Sequence, residues 1–404
     1  MSEIVAGLDW AKDVHRVCVL DGAGRRLLER GFAHTEQGLG DLCAALAEYA
    51  VVRVALERPE GLLVGALLEA GVVVVPMHPN QVKAARARFR AGGGKSDGFD
   101  AYVLAELCRT DAHRFAVLRP DADETQALRA LTRARTDLVG HRVALANQLR
   151  AELERFWPGA AAIFSEVDSP IALAFLERYP APADARGLGE RRLAGFLARH
   201  GYCGRRSPAE LVGRLRAAPA GRAGPAEAEA RRGIVLGLVA ALRPVVAQIR
   251  LLAGEIAGAL AAHPDGAIFR SLFRDPKSAV TAASLLAEIG DRRERYPDAG
   301  TLAADAGMCP VAIESGRLRA AGFRWACDKR LRQAVGTLAD TSRHHNPWAA
   351  DIYRRARARG KDHPHAIRIL GRAWLLVIWR MWQDRVPYDP ARHAGRLRLQ
   401  AAGG

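Results

Sequence analysis

Near the N-terminus the apolar positions come as short runs, at residues 4–8, 14–20, 25–33, 51–56 and 72–77. Runs of this length, bounded by Gly, Asp or Pro, predict strands. Residues 35–49 change rhythm: Leu39, Leu42 and Leu46 recur at helical spacing behind Thr35, a good N-cap. Residues 61–70 also read as a helix. The predicted order is β-β-β-α-β-α-β-α. Three consecutive strands followed by βα alternation predict a mixed α/β sheet with helices on its faces.

Beyond residue 118 the strand rhythm disappears. Leu128, Leu131, Leu138, Leu145, Leu149 and Phe156 form a near-heptad stripe, which predicts one long amphipathic helix over residues 124–157, stopped by Pro158-Gly159. Leu238, Val245, Leu252 and Ile256 predict a second over residues 226–262, with Pro244 inside it. The two can pair as an antiparallel coiled coil, within one chain or as a dimer seam. Smaller helices are predicted at 171–178 and 191–200, with a flexible Ala/Gly/Pro/Arg tract at 217–224. Further helices are predicted over 278–289, from near Lys329 to His344, and over 364–383, where Trp374, Trp379 and Trp382 read as core. The predicted domains are 1–118, 119–264 and 265–388, with a disordered tail at 389–404.

Charge points to a partner. Lys plus Arg number 60 against 44 Asp plus Glu, a formal charge of +16. Such an excess suits a polyanion, most often nucleic acid. The six cysteines are scattered without a Cys-x-x-Cys, which argues against a zinc site or disulfide scaffold and for a reducing compartment. Ser2 and Glu3 after Met1 do not resemble a secretory signal. No uninterrupted apolar run is long enough to cross a bilayer. The expectation is a cytoplasmic protein with no membrane partner.

The candidate chemistry is acidic. Asp9 and Glu57 stand where buried strands stop, the usual place for active groups in such sheets. Asp97 and Asp100 follow Gly92-Gly93-Gly94 and open an apolar segment, so their i,i+3 spacing puts them on one helix face. Each acid alone is an ordinary turn or cap residue. Four convergent carboxylates in a cleft call for cations, and hard divalent ions with oxygen ligands, Mg²⁺ or Mn²⁺, are the fitting class. Paired ions of this kind suit phosphodiester chemistry.

Three segments carry a resemblance: Gly7-Leu8-Asp9-Trp10-Ala11-Lys12-Asp13, Leu56-Glu57-Arg58-Pro59 and Lys95-Ser96-Asp97-Gly98-Phe99-Asp100-Ala101. They resemble the Asp-Glu-Asp-Asp (DEDD) motifs of the insertion sequence 110 family of transposases. The resemblance implies a RuvC-like, RNase H-like N-terminal domain with Asp9, Glu57, Asp97 and Asp100 as the metal-binding tetrad. Lys12 and Lys95 become candidate nucleic-acid contacts. Toward the C-terminus, residues 302–311, Glu314-Ser315-Gly316-Arg317-Leu318-Arg319 and Lys329-Arg330-Leu331-Arg332 are similar to the family's serine transposase domain. Ser315 takes the nucleophile's place, with Arg317, Arg319, Lys329 and Arg330 as further nucleic-acid contacts. From the residues alone, Ser315-Gly316 is more often a plain turn.

The resemblance implies a bacterial mobile-element recombinase. It would cut and rejoin DNA through a covalent phosphoserine link, pass through a Holliday junction and take its targets from a bridge RNA. Homodimers or homotetramers would draw one active site from different subunits, and the protein would be associated with the nucleoid. The alternative is a metal-dependent hydrolytic nuclease or junction resolvase of RuvC type, in which water attacks and Ser315 is structural.

Overall fold

The structure is a computed structural model that describes residues 3–89, 96–219, 221–316 and 318–392. The chain divides into two compact units, Met1–Pro120 and the remainder from Asp121.

The first unit is built on a five-stranded sheet of order β3-β2-β1-β4-β5. Strands β1 (Val5–Asp9), β2 (Val14–Leu20) and β3 (Arg26–Ala33) form an antiparallel meander. Strand β4 (Arg53–Leu56) then joins β1 in parallel, and β5 (Val74–Pro76) joins β4 in parallel. The mixed sheet expected of an RNase H-like domain is therefore present. Four helices accompany it: α1 (Glu36–Glu48), α2 (Leu62–Glu69), α3 (Pro79–Phe89) and α4 (Asp97–Asp111). Successive strand residues point to opposite faces, and both faces are covered. Val5, Cys18, Ala55 and Val75 pack with α4 and Val82 of α3. Their neighbours Ala6, Val19, Val54 and Val74 pack with Leu39, Leu42 and Leu46 of α1 and Leu63, Val64 and Leu67 of α2. Burial on both sides is why these strands read as continuous apolar runs.

The segment at residues 81–90, legible only as basic, is mostly helix α3, with Val82 its one buried residue. Helix α4 lies directly on β1. A Cβ built on Gly7 would stand 2.0 Å from the Ala101 carbonyl oxygen and 2.2 Å from the Ala105 nitrogen, both backbone atoms with no rotamer to escape into. Gly7→Ala is therefore expected to push α4 off the sheet and cost on the order of 3 kcal/mol. A thermal melt within a degree of the parent would contradict this packing.

The second unit is helical apart from one hairpin. Its first part holds α5 (Asp123–Phe156), α6 (Pro158–Ile163), α7 (Pro170–Arg178), α8 (Glu190–Arg199), α9 (Pro208–Ala217) and α10 (Pro225–Ala262). Its second part holds α11 (Gly266–Arg270), α12 (Ala279–Ile289), α13 (Ala299–Asp305), the antiparallel pair β6 (Val311–Ser315) and β7 (Leu318–Gly322), α14 (Lys329–Ser342), α15 (Pro347–Ala358) and α16 (His363–Asp384). Helices α5 and α10 run antiparallel within one chain. Thr125 near the start of α5 bonds His263 just past the end of α10 at 2.8 Å, and Glu152 near the end of α5 pairs with Arg231 near the start of α10 at 2.5 Å. The pair links two cores. Leu149, Leu153, Val235 and Leu242 belong to one; Leu128, Ile256 and Leu260 belong to the other.

Pro158 does not simply end α5; it opens α6 at a position where a missing N–H costs nothing. Trp374 and Trp382 are fully buried, and the Trp374 indole donates to Ser342 Oγ at 2.8 Å, so they are core as read. The membrane reading needs one amendment. Helix α10 has the length and composition to cross a bilayer, which a count of uninterrupted runs misses because Arg243 and Arg250 break them. Val235, Leu238, Val239, Leu242, Ile249, Leu252, Ile256 and Leu260 are buried within the helical unit, although only 28% of the helix's most apolar window is buried. Of the expected tail, residues 393–404 lie outside the described residues.

Candidate active site

Two parallel strands fix the first two acids. Leu8 of β1 and Leu56 of β4 are register partners, and β1 ends at Asp9 while Glu57 follows β4 directly. Asp9 and Glu57 thus stand at the carboxyl ends of two neighbouring parallel strands, at the same end of the sheet. Helix α4 brings the other two. Ser96 caps it by accepting from the Phe99 N–H at 3.3 Å, and Asp97 and Asp100 occupy its first turn, where the helix dipole favours negative charge. Asp97 is exposed, whereas Asp100 is only 2% exposed.

A buried carboxylate needs a counter-charge, and the sequence reading did not identify it. Arg86 of α3 supplies it. Its Nε donates to Asp100 Oδ1 at 2.6 Å and its terminal nitrogen to Oδ2 at 2.8 Å. The same guanidinium stands 3.6 Å from Glu57 Oε1. One cation therefore bridges two of the four acids. No local pattern could reveal this, because the partners lie on different helices, with a Gly-rich segment between them.

Among the described residues no three His, Cys, Asp or Glu side chains are gathered as a ready metal cluster. The donor set nonetheless fits a hard divalent ion. All four candidates are carboxylates, and the buried one is held by a positive charge shared with its neighbour.

The loop after Asp9 is anchored by histidine. His15 on β2 is fully buried, receives the Ala11 N–H on Nδ1 at 3.4 Å and lies 2.8 Å from His34 Nδ1 through Nε2. Trp10 stacks its ring under Arg58, 4.4 Å away. Burial, then the nearby His34, holds the His15 pKa below the ordinary 6.5. The unfolded chain therefore takes up a proton that the folded one resists. This contribution is complete above about pH 6.5 and is lost as pH falls from there through the lower folded value. The melting temperature should fall between about pH 7.5 and 5.5, and His15→Asn should shrink that fall; an unchanged pH dependence would remove His15 from the account.

The remaining candidates are dispersed. Lys12 is exposed beside the Asp9 loop. Lys95 and Arg317 lie outside the described residues. In the second unit Ser315 ends β6 and is exposed, and Gly316 opens the turn with φ +55°, a left-handed conformation that suits glycine. Arg319 stands across the hairpin from Glu314 and is exposed, as is Lys329 at the start of α14. Arg330 is already engaged, pairing with Asp137 at 2.9 Å.

Comparison with known proteins bears on both units. A model for IS110-type DEDD transposases, described as Transposase, matches residues 6–158, and the Transposase IS116/IS110/IS902 family model matches residues 278–354. The mini-circle transposase assigned to IS117 of Streptomyces coelicolor is 33% identical, covering 99% of this chain and 98% of its own. The chain belongs to the IS110 family of transposases. A protein of insertion element IS900 from Mycobacterium paratuberculosis is 29% identical over 96% of this chain and 97% of its own. Among solved structures, Thermus thermophilus RuvC in complex with a Holliday junction substrate is similar at 22% identity and a TM-score of 0.23, covering 29% of this chain and 99% of that one. As a member of this family, the protein is a DNA-cutting and DNA-joining enzyme with a DEDD domain.

Proposed function

We propose that this transposase exchanges DNA strands by serine chemistry at a site completed by the Asp9, Glu57, Asp97 and Asp100 carboxylates. The observation that carries the reading is the placement of Asp9 and Glu57 at the carboxyl ends of neighbouring parallel strands, with Asp100 tied to Glu57 through Arg86. Mg²⁺ or Mn²⁺, held by the four carboxylates, would supply positive charge to the reacting phosphate oxygens. Ser315 Oγ attacks phosphorus. The new P–O bond forms as the bond to a deoxyribose oxygen breaks, and the serine proton ends on that departing oxygen. The phosphodiester survives as a phosphoserine link, so a second DNA hydroxyl can displace Ser315 and rejoin the strand without an energy source. Arg319 and Lys329 stabilise the negative charge on the non-bridging phosphate oxygens.

In this reading the exchange passes through a Holliday junction, targets are selected by a bridge RNA, and dimers or tetramers combine the serine of one subunit with the tetrad of another. The work takes place on nucleoid DNA in the bacterial cytoplasm. Support for RNA guidance is the large positive charge, +16, without a recognisable base-reading motif. The experiment is denaturing-gel detection of a protein–DNA adduct on labelled element-end DNA with candidate bridge RNA and Mg²⁺. An adduct that requires Mg²⁺ is the expected result. Cleaved DNA without an adduct at any time point would replace serine chemistry by hydrolysis.

A further inference from the structure

Helices α5, α12 and α14 enclose a polar cleft of about 210 Å³ in the second unit. Its charges are almost balanced. Arg133 grips the buried Glu288 with two bonds, at 3.0 and 2.7 Å. Arg330 pairs with Asp137 at 2.9 Å and also reaches the Arg133 carbonyl at 3.4 Å. Arg135 is the exception. It lines the cleft, its Nε is shielded from solvent with no hydrogen-bond partner among the described residues, and no salt bridge reaches it. The charge acting on it is another arginine, Arg142, which pairs with Asp168 at 3.3 Å. Burial and Arg142 both lower the Arg135 pKa, as they would for a cation short of an anion.

A half-buried, unmatched guanidinium is costly unless something negative joins it. Of the three arginines that line the cleft, Arg133 and Arg330 have acids of their own, Glu288 and Asp137, so one positive charge is left over, and a phosphodiester carries one negative charge. Gln333 and Thr281 line the same cleft and add polar groups suited to phosphate oxygens.

We propose that this cleft is a backbone-phosphate site for a nucleic-acid strand, with Arg135 as its principal contact and Arg330 at its rim. The inference rests on the nucleic-acid partnership of the proposed function and adds a place in the second unit where a strand is held. Backbone contacts position a strand without reading its sequence.

The test is binding by fluorescence anisotropy at several salt concentrations, comparing the parent with Arg135→Gln and Arg135→Lys. The probes are a single-stranded RNA, a single-stranded DNA of matching sequence and a DNA duplex. Arg135→Gln should weaken binding equally across sequences and reduce the slope of log affinity against log salt by roughly 0.7–0.9, the loss of one phosphate contact. Arg135→Lys should keep most of that slope. The probe that shows the change identifies which strand occupies the cleft. Melting of Arg135→Gln should match or exceed the parent, since an unmatched charge is removed. An unchanged salt slope with every probe, while the parent still binds, overturns the cleft and leaves the transposase reading standing. A lowered melting temperature with no slope change makes Arg135 structural and also overturns it. Failure of the parent to bind any probe overturns the nucleic-acid reading and the cleft together.

Discussion

Ser315→Ala is expected to abolish the protein–DNA adduct completely and to lower strand joining by at least about a thousandfold, the range seen when an enzyme loses its nucleophile. Alanine has no oxygen to bond phosphorus. The side chain stands at the end of β6, exposed and open to a strand from outside. It also supports no core: every described side chain of β6 is exposed, so the substitution should leave the melting temperature unchanged. That separates chemistry from folding. Ser315→Cys keeps a nucleophilic atom and should retain a trace of adduct. If Ser315→Ala still forms the adduct, the nucleophile is elsewhere; if it still cleaves and yields only free ends, water attacks and the protein is a hydrolytic nuclease.

What was legible in the sequence follows from what each feature depends on. Strand β2 is found at residues 14–20 as read, and α5 and α10 within a residue of their expected bounds, because long periodic patterns report burial directly. Asp9 and Glu57 were legible because a strand end is a local event. The β6–β7 hairpin was not, since its exposed residues carry no burial signal. Helices α6 and α9 were missed for a related reason: each is a short, Ala- or Arg-rich piece whose place is set by packing in the core around Phe175 and Phe196. Arg86 and Arg135 were invisible as site residues for a different reason. Both sit in strongly basic stretches, and what distinguishes them is a partner or its lack in three dimensions. Thus Arg86 stood out only once Asp100 was found buried against it, and Arg135 only once Arg133, Arg142 and Arg330 were seen to have acids of their own.

Arg86→Ala should be strongly destabilising, and the way stability is recovered should reveal what the acids are for. The Asp100 side chain is 3% exposed, and both its oxygens accept from Arg86. Removing one partner of a buried, doubly hydrogen-bonded pair costs about 3–5 kcal/mol. Glu57 loses the same cation at 3.6 Å, which adds repulsion at the strand ends. Asp100→Asn in the Arg86→Ala background removes the buried charge that Arg86 balanced, so the double variant should be more stable than Arg86→Ala alone. This non-additivity is measurable by thermal melting. A divalent ion offers a second rescue. If Asp9, Glu57, Asp97 and Asp100 hold Mg²⁺, the ion binds the folded state and should raise the melting temperature of Arg86→Ala in a concentration-dependent way. The gain should exceed the parent's, because in the parent Arg86 already engages both oxygens of Asp100 and competes for it. Asp100→Asn should lose most of the effect. Rescue by the double substitution but not by Mg²⁺ or Mn²⁺ would make Arg86–Asp100 a structural pair and move the metal away from Asp100. Rescue by both would make Arg86 the resident counter-ion of the site, holding Asp100 charged and oriented until a divalent ion shares it.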